Sequence, residues 1–370
     1  MRVLLVTRGF PPRVGGVERV CAELAAGLAD AGDDVTVLTF AGRRQGPGGR
    51  AGGAEPGRAP YRVLRLPSLG DTFEFSPGLV RELRRQPFDV CHVHNLHATV
   101  AAAVWRARAT PYVLTTHYHG RGHTAAARLL HPLYRRLAAR IVRDAAQLTA
   151  VSATEADLVE RDFGVRPVVI PNGVASERFA ALPRRPDPDG HGRLVVVSRL
   201  VGYKRVDDAL AALAGLPERW VLDVVGDGPD RARLTALAAT LGVAGRVRFH
   251  GGATTDQQVR QLVRDADVLL NLSEAEAFSL VVLEALAAGT PVVVSGASTL
   301  RQWAARFPGA VVAADGPEAA AEAVATLDGR RAQVDLGEYE WPGVVASYRD
   351  LYAQVAGREA GQGAGGRVAT

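Results

Sequence analysis

Strand-like and helix-like hydrophobic patterns alternate along nearly the whole chain, and this alternation restricts the possible folds more than any other feature. Residues 3–7 form a mainly apolar run typical of a buried strand, residues 17–28 carry apolar side chains at helical spacing, and residues 35–40 form the next strand. A strand, helix and strand in this order pair as a parallel sheet with a right-handed crossover. The sequence therefore predicts an α/β protein built on parallel sheets.

The alternation continues through 370 residues, which is too long for one ordinary core and favours two domains. The polar, proline-rich segment 182–190 is predicted to be the linker. It separates an N-terminal Rossmann-like domain, 1–182, from a C-terminal one, 192–339. A helix over 340–357 and a disordered tail over 358–370 end the chain. Further strands are predicted at 62–66, 89–93, 112–116, 147–151, 167–170, 194–198, 220–225, 246–250, 267–271 and 291–295.

Several functional classes do not suit this composition. No apolar run approaches the roughly 20 residues that span a bilayer, and the opening apolar run is too short for a signal peptide. We therefore expect a cytoplasmic protein. Cys21 and Cys91 lie in helix-like and strand-like patterns, so the sequence predicts no disulfide framework.

Positive charge is concentrated in the first half of the chain. Residues 1–180 carry 24 Arg and 16 Asp plus Glu, whereas residues 181–370 carry 20 Arg plus Lys and 23 Asp plus Glu. A basic first domain suits an anionic acceptor, a membrane surface or nucleic acid. The second half lacks basic patches interleaved with aromatic residues, so we do not expect a nucleic acid partner. Residues 124–143 are predicted to form a basic amphipathic helix, for which packing on the core is favoured over peripheral contact with anionic lipid.

Lys204 is the single lysine among 44 basic residues. A lysine kept in so arginine-rich a chain indicates a need for a compact ammonium, which a planar guanidinium does not replace; chance survival explains it equally well. Arg199 and Lys204 both follow the predicted strand 194–198. Two cations at the carboxyl end of a strand suit the charge of a leaving diphosphate, and the alternative is a pair of solvated loop charges.

The pair Gly15-Gly16 lies between the first predicted strand and its helix. Backbone amides and a helix N-terminus at such a turn can approach a phosphate. The full dinucleotide pattern of three spaced glycines is lacking, so a nicotinamide role is weakly supported. A tight turn that needs positive φ explains the two glycines equally well.

Two glutamates bracket the start of a later helix. Glu284 lies in an otherwise apolar helix, where a carboxylate is costly unless hydroxyl or amide groups, such as a ribose diol, pair with it. Glu276 precedes that helix, near amides that suit a phosphate or a sugar. The alternative is a capping carboxylate and an ordinary glutamate at the helix edge.

Six of the nine histidines fall into two groups at or just beyond predicted strand ends. The Cys91-His92-Val93-His94 segment matches no closed structural zinc spacing. Roles in lining a cleft or in the core are therefore favoured over a metal site. The two groups are His92, His94 and His97, and then His117, His119 and His123.

Taken in order, these segments resemble the retaining nucleotide-sugar glycosyltransferases of family 4. That family has the GT-B fold, in which two Rossmann-like parallel-sheet domains face each other across a cleft and the last helix returns to the first domain. The resemblance covers nearly the whole chain. It rests on Gly15-Gly16-Val17-Glu18, Thr115-Thr116-His117, Val151-Ser152, Pro171-Asn172-Gly173-Val174, Ser198-Arg199-Leu200 with Lys204, Gly226-Asp227-Gly228-Pro229, Phe249-His250-Gly251, the Glu276/Glu284 pair and the closing Trp341 helix.

The resemblance implies catalytic roles for four side chains. Arg199 and Lys204 would neutralise the diphosphate, Glu276 would hold hydroxyls of the transferred sugar, and His117 would lie by the anomeric centre. It also implies contacts to the ribose through Glu284, to the diphosphate through glycine backbone, and to the base through backbone after a strand. The implied donor-binding residues are Gly15, Gly16, Arg199, Lys204, His250, Gly251, Ala253, Phe278, Ser279, Leu280 and Glu284.

The implied reaction is transfer, with retention, of a hexosyl group from a nucleotide-diphosphate sugar to an acceptor hydroxyl. UDP is favoured over GDP, and neither cofactor nor metal is expected. The acceptor is not identified by the resemblance; a small molecule or natural product, a glycan and a lipid-linked acceptor stay open. The segment 295–301 departs from the family's Gly-Gly-x-x-Glu pattern, which affects sugar or acceptor contacts. Two alternatives stay open, a GT-B nucleotide-sugar epimerase and a non-catalytic sugar-nucleotide sensor.

Overall fold

The chain forms two compact units. In this computed structural model, the first comprises Met1–Gly173 with the C-terminal residues from Trp341, and the second comprises Val174–Glu340. The structure describes residues 1–41, 59–70, 74–97, 99–109, 111–120, 134–136, 138–252 and 254–365.

The described strands form two sheets in which every pairing is parallel. They are β1 (Arg2–Val6), β2 (Asp34–Phe40), β3 (Arg62–Leu66), β4 (Val90–His94), β5 (Tyr112–Thr115), β6 (Gln147–Ala150), β7 (Val168–Val169), β8 (Gly192–Val197), β9 (Trp220–Val225), β10 (Val247–His250), β11 (Val268–Asn271), β12 (Val292–Ser295) and β13 (Val311–Ala314). The first unit has the order β3-β2-β1-β4-β5-β6-β7, and the second has β10-β9-β8-β11-β12-β13. The predicted α/β class is confirmed.

Helices lie in most of the connections between these parallel strands. They are α1 (Gly16–Asp30), α2 (Leu79–Arg85), α3 (Thr99–Ala107), α4 (Ala153–Phe163), α5 (Glu177–Ala180), α6 (Val206–Gly215), α7 (Arg231–Thr240), α8 (Asp256–Asp265), α9 (Leu280–Ala287), α10 (Ser298–Arg306), α11 (Pro317–Leu327) and α12 (Trp341–Gly365). Of the predicted basic helix 124–143, residues 134–136 and 138–143 are described and are helical. None of the helices in the described ranges is both long and apolar enough to cross a bilayer.

Both faces of the first sheet are covered, because successive residues of a strand point to opposite faces. Leu4 and Val6 join a core formed with α2, α3 and α4. Val3 and Leu5 join a second core formed with α1 and α12. Gly27 allows α1 and α12 to approach closely, since a Cβ there would lie 2.5 Å from a methyl of Val345. The C-terminal helix is therefore part of the core of the first unit.

The boundary between the units lies before the segment predicted as the linker. The Val174 amide donates to the Tyr339 carbonyl at 2.7 Å, and Phe179 of α5 is buried. Further on, the Arg185 amide donates to Asp265 Oδ1 at 2.7 Å. The Arg184 side chain also pairs with Asp267. The start of the predicted linker, residues 182–185, thus packs on the second unit through polar contacts.

Two further differences between the predicted and the observed elements concern segments with little hydrophobic periodicity. Strand β13 is absent from the predicted set; it is a four-residue edge strand, half-exposed at its centre, that pairs with β12, and so short a run carries little periodicity. The segment 358–370, predicted to be disordered, is helical as far as Gly365, although three of its residues up to that point are glycines, which disfavour a helix. Residues 366–370 lie outside the described part of the chain.

Candidate functional site

The turns that follow β8, β9 and β10 are joined by backbone hydrogen bonds in the second unit. The Leu200 amide donates to the Asp227 carbonyl at 2.9 Å, and the Gly226 amide donates to the His250 carbonyl at 3.2 Å. Gly226 has φ 131°, and a Cβ there would lie 1.9 Å from the Ser198 carbonyl oxygen. Only glycine suits this position, so the glycine-rich turn after β9 fixes the backbone beside Arg199.

Lys204 contacts Glu276 directly. Lys204 ends a 3₁₀ turn, Gly202–Lys204, after β8, and its Nζ donates to Glu276 Oε1 at 2.6 Å, with the two side chains 14% and 16% exposed. Glu276 follows β11, the neighbour of β8 in the sheet, so adjacent strand ends bring the two residues together. The Glu274 amide also donates to the Tyr203 carbonyl at 2.8 Å.

Tyr203 lies between the two predicted cations. Its hydroxyl accepts from Arg199 Nη2 at 2.6 Å, and its ring centroid lies 5.3 Å from Lys204 Nζ. Arg199 is exposed, whereas Lys204 is largely buried. One cation is thus held in a partly desolvated ion pair and the other stays accessible, so the end of β8 carries two positive groups in different environments.

The segment before α9 is held by two residues that the sequence did not single out. Asn271 Nδ2 donates to Ser279 Oγ at 2.7 Å, and Trp303 Nε1 donates to the Phe278 carbonyl at 2.7 Å. Ser279 has a left-handed φ of 76°, and no side chain caps α9, which begins at Leu280. These contacts support the backbone that carries Glu276.

Glu284 lies inside α9 and is 9% exposed. Four of the helix's other residues are buried with it, so the carboxylate is on a largely apolar element, as the sequence predicts. A group in this position is costly to keep charged without polar partners.

The turn after β10 is anchored through its histidine. His250 Nε2 and Asp223 Oδ1 lie 2.7 Å apart, and the buried Asp223 is also 3.4 Å from Arg193 Nη2. The His250 side chain is therefore held against β9 by Asp223, the residue that also contacts Arg193. Ala253 lies outside the described residues.

In the first unit, Gly15 and Gly16 begin α1. Gly15 is the N-cap with an extended φ of 172°, and neither residue is among the described positions with positive φ. A tight turn that needs positive φ therefore does not explain why glycine occupies positions 15 and 16. A Cβ on Gly15 would lie 2.1 Å from Glu18 Oε2, so the Glu18 carboxylate lies close against the first turn, where the helix dipole favours negative charge.

Histidines form a buried hydrogen-bonded group at the carboxyl ends of β4 and β5. His92 Nδ1 lies 2.6 Å from the Tyr352 hydroxyl of α12, and His92 Nε2 lies 2.7 Å from Thr115 Oγ1. His94 Nδ1 lies 3.2 Å from His117 Nε2. His117 has a left-handed φ of 46° and is 8% exposed.

Burial keeps these histidines neutral. Desolvation lowers the pKa of His92 to about 3 and that of His117 to about 4, and it lowers the pKa of His94 well below 6.5. His94 Nε2 is buried with no hydrogen-bond partner among the described residues. Because a buried unpaired acceptor is less unfavourable than an unpaired N–H, His94 Nδ1–H is favoured as the donor to His117 Nε2.

Two family models match the two halves of the chain: Glycosyltransferase Family 4 over residues 14–178 and Glycosyl transferases group 1 over residues 181–339. The chain is also 30% identical over 387 residues to GDP-mannose:cellobiosyl-diphosphopolyprenol alpha-mannosyltransferase of Komagataeibacter xylinus, covering 97% of this chain and 94% of that protein. The chain belongs to glycosyltransferase family 4. It is a glycosyltransferase with a nucleotide-sugar donor, as predicted.

Solved structures with the same fold include two of low sequence identity. Sucrose-phosphate synthase from Thermosynechococcus elongatus superposes with a TM-score of 0.76 at 19% identity, covering 96% of this chain and 99% of that one. Anabaena HepE, solved with UDP and glucose, gives a TM-score of 0.69 at 20% identity, covering 99% and 100%. The predicted GT-B fold of this glycosyltransferase is confirmed.

Among the described residues, the histidine groups of the glycosyltransferase do not bring three candidate metal-ligand atoms together. Within the described ranges, the one group of three candidate ligand atoms lying within 4.8 Å of one another is Asp187, Asp189 and His191. This group lies in the proline-rich segment before β8, where Asp187 Oδ1 already accepts from the Asp189 amide and pairs with His191 Nδ1, each at 3.0 Å. His123 lies outside the described residues.

Proposed function

We propose that this glycosyltransferase transfers a hexosyl group, with retention of anomeric configuration, from a nucleoside-diphosphate sugar to an acceptor hydroxyl. The contact between Lys204 and Glu276 carries this proposal. It places an ammonium for the departing diphosphate next to a carboxylate that can accept hydrogen bonds from sugar hydroxyls. In a partly desolvated site, a fixed positive group stabilises developing negative charge strongly.

The remaining donor contacts are assigned by the same chemistry. Arg199, exposed and oriented by Tyr203, contributes the second positive charge to the diphosphate. Glu284 accepts the ribose hydroxyls. The amides of Phe278, Ser279 and Leu280 lie where the dipole of α9 favours phosphate oxygens. Backbone at Gly15 and Gly16 faces the diphosphate, and backbone at His250, Gly251 and Ala253 faces the base.

The reaction needs no metal in this proposal, because Arg199, Lys204 and helix-terminal amides neutralise the leaving group. The departing phosphate takes the acceptor proton on the same face, which gives retention. His117 contributes a neutral imidazole near the anomeric centre. Since its pKa is lowered to about 4, it adds no positive charge that would oppose the cationic transition state.

The donor base and the acceptor class are proposed from the family. UDP is the first expectation and GDP the second; HepE is solved with UDP, and the Komagataeibacter relative is named for GDP-mannose. The same relative acts on a diphosphopolyprenol-linked acceptor. The excess of 24 Arg over 16 acidic residues in residues 1–180 suits an acceptor of that anionic class.

A thermal-shift screen of nucleoside diphosphates tests the donor assignment first. A nucleotide that binds the folded state raises the melting temperature by mass action, and we expect UDP or GDP to be selected over ADP. Release of that nucleotide from its hexose donor should then depend on an added acceptor. Release that is independent of acceptor would favour an epimerase, and no release with any donor would favour a sensor.

A further inference from the structure

Glu155 is a buried carboxylate that none of the proposed donor contacts uses. It lies in the first turn of α4, after the N-cap Ser152, and it is 1% exposed. A buried charge is costly, and an apolar residue of similar size is usually at least as stable in such a place. The presence of a glutamate therefore points to a task that an apolar side chain does not perform.

Both oxygens of Glu155 accept hydrogen bonds from the ends of two neighbouring strands. Oε1 accepts from the Tyr118 amide at 2.6 Å and from the Thr116 hydroxyl. Oε2 accepts from the Val151 amide at 2.7 Å. One carboxylate thus ties the turn after β5 to the turn after β6.

The two Oε1 donors are the residues on either side of His117. His117 has a left-handed backbone, φ 46°, which is unfavourable for an L-residue because its Cβ crowds the following carbonyl oxygen. Such a conformation persists only where its surroundings hold it. The carboxylate holds the chain immediately before and immediately after the strained residue, so it determines where the imidazole lies.

We propose that Glu155 is a positioning residue for the transfer reaction: it fixes the backbone of His117 and so places the imidazole that lies near the anomeric centre. This inference rests on the proposed role of His117. Glu155 itself is 1% exposed beneath residues 116–118, so the proposal gives it no contact with the donor.

The pattern of three donors requires a carboxylate. A glutamine keeps one oxygen for Tyr118 and Thr116 but presents an NH₂ group to the Val151 amide, which is also a donor. Burial raises the pKa of Glu155 to about 7 in spite of these hydrogen bonds, which shows how strongly the site is desolvated. The Glu155→Gln variant therefore loosens the clamp with almost no change in volume.

The first test compares Glu155→Gln with a matched control, Asp33→Asn. Asp33 is also a buried carboxylate of the first unit, pairing with the amino terminus at 2.8 Å and with Arg349 Nε at 2.9 Å. It precedes β2 and so lies at the amino edge of the sheet, away from the turn of His117. Both variants lose a buried charge, but only Glu155→Gln releases the His117 turn.

We expect Glu155→Gln to lower kcat for donor turnover at least tenfold with the donor KM unchanged within twofold. Asp33→Asn should lower the melting temperature and leave kcat unchanged within twofold. Equal losses of kcat in the two variants would mean that Glu155 only stabilises the fold, which contradicts the proposal. Wild-type kcat in folded Glu155→Gln would also overturn it.

A second variant keeps the proposal testable if Glu155→Gln does not fold. Thr116→Val removes one Oε1 donor and keeps the carboxylate, so kcat should fall severalfold at unchanged donor KM; wild-type kcat would contradict the clamp. Failure of the proposed function has a different signature, because the wild-type protein would then turn over no nucleotide sugar at all.

Discussion

The two units share an architecture of parallel strands and covering helices, but the candidate site residues at their strand ends differ in charge and burial. In the second unit, Lys204 and Glu276 form an ion pair and Arg199 stays exposed. In the first, His92, His94 and His117 are buried and kept neutral. The same strand-end geometry therefore supplies charge in one unit and neutral hydrogen-bonding groups in the other.

This difference corresponds to two needs of sugar transfer. A departing diphosphate gains negative charge and is stabilised by fixed cations. The anomeric carbon gains positive charge, and a cationic histidine beside it would be unfavourable. In the proposed mechanism, the burial that keeps His117 neutral therefore suits the reaction as well as the exposure of Arg199 does.

The largest effect should come from removing the ammonium. Lys204→Ala should lower kcat/KM about a hundredfold, on the order of 3 kcal/mol, as expected for loss of a group that stabilises transition-state charge. Arg219→Ala, which removes a surface cation paired with Asp328, is the control and should have wild-type activity. Steady-state kinetics with the selected donor measures both, and a fully active, folded Lys204→Ala would remove the diphosphate assignment.

A smaller effect is expected at the ribose. Glu284→Ala should weaken donor affinity about tenfold, roughly 1.4 kcal/mol, with little change in turnover of bound donor, because ribose contacts are equal in ground and transition states. Titration calorimetry with the nucleoside diphosphate measures the change. If the folded variant binds with wild-type affinity, Glu284 has no ribose role; if it unfolds, the residue is structural.

The smallest expected effect is on how the stability of the first unit depends on pH. The pKa values of His92 and His117 lie near 3 and 4 instead of 6.5, so the unfolded chain binds extra protons below about pH 6.5 and stability falls with acid. Glu155 acts oppositely, because its pKa is about 7 instead of 4.5 and its protonation below pH 7 favours the folded state.

Glu155→Gln removes this opposing contribution. The melting temperature of the variant should therefore fall more steeply than that of the wild type between about pH 7 and 5. In free energy of unfolding, the additional loss over this range should be on the order of 1 kcal/mol. Differential scanning fluorimetry across this range measures both slopes. Parallel slopes would mean that Glu155 titrates as an exposed carboxylate does.

Local patterns in the sequence predict elements but not the contacts between them. The position of Lys204 after a strand follows from the apolar run before it. Its contact with Glu276, 72 positions away, depends on β8 and β11 being neighbours, and strand order is not encoded in a local pattern. Glu155 shows the same limit, since a glutamate in the first turn of a helix has the usual pattern of a solvent-facing residue.

The central claim is that fixed protein cations and amides carry the leaving diphosphate during a retaining transfer. Proton NMR of the glycoside formed from the selected α-linked donor and its acceptor, with and without EDTA, is the deciding measurement. The anomeric proton of the product should show the α-configuration, and the product should form at a rate that EDTA does not change and that Lys204→Ala lowers about a hundredfold. A β-glycoside, or activity abolished by EDTA in a protein that stays folded, would contradict the claim.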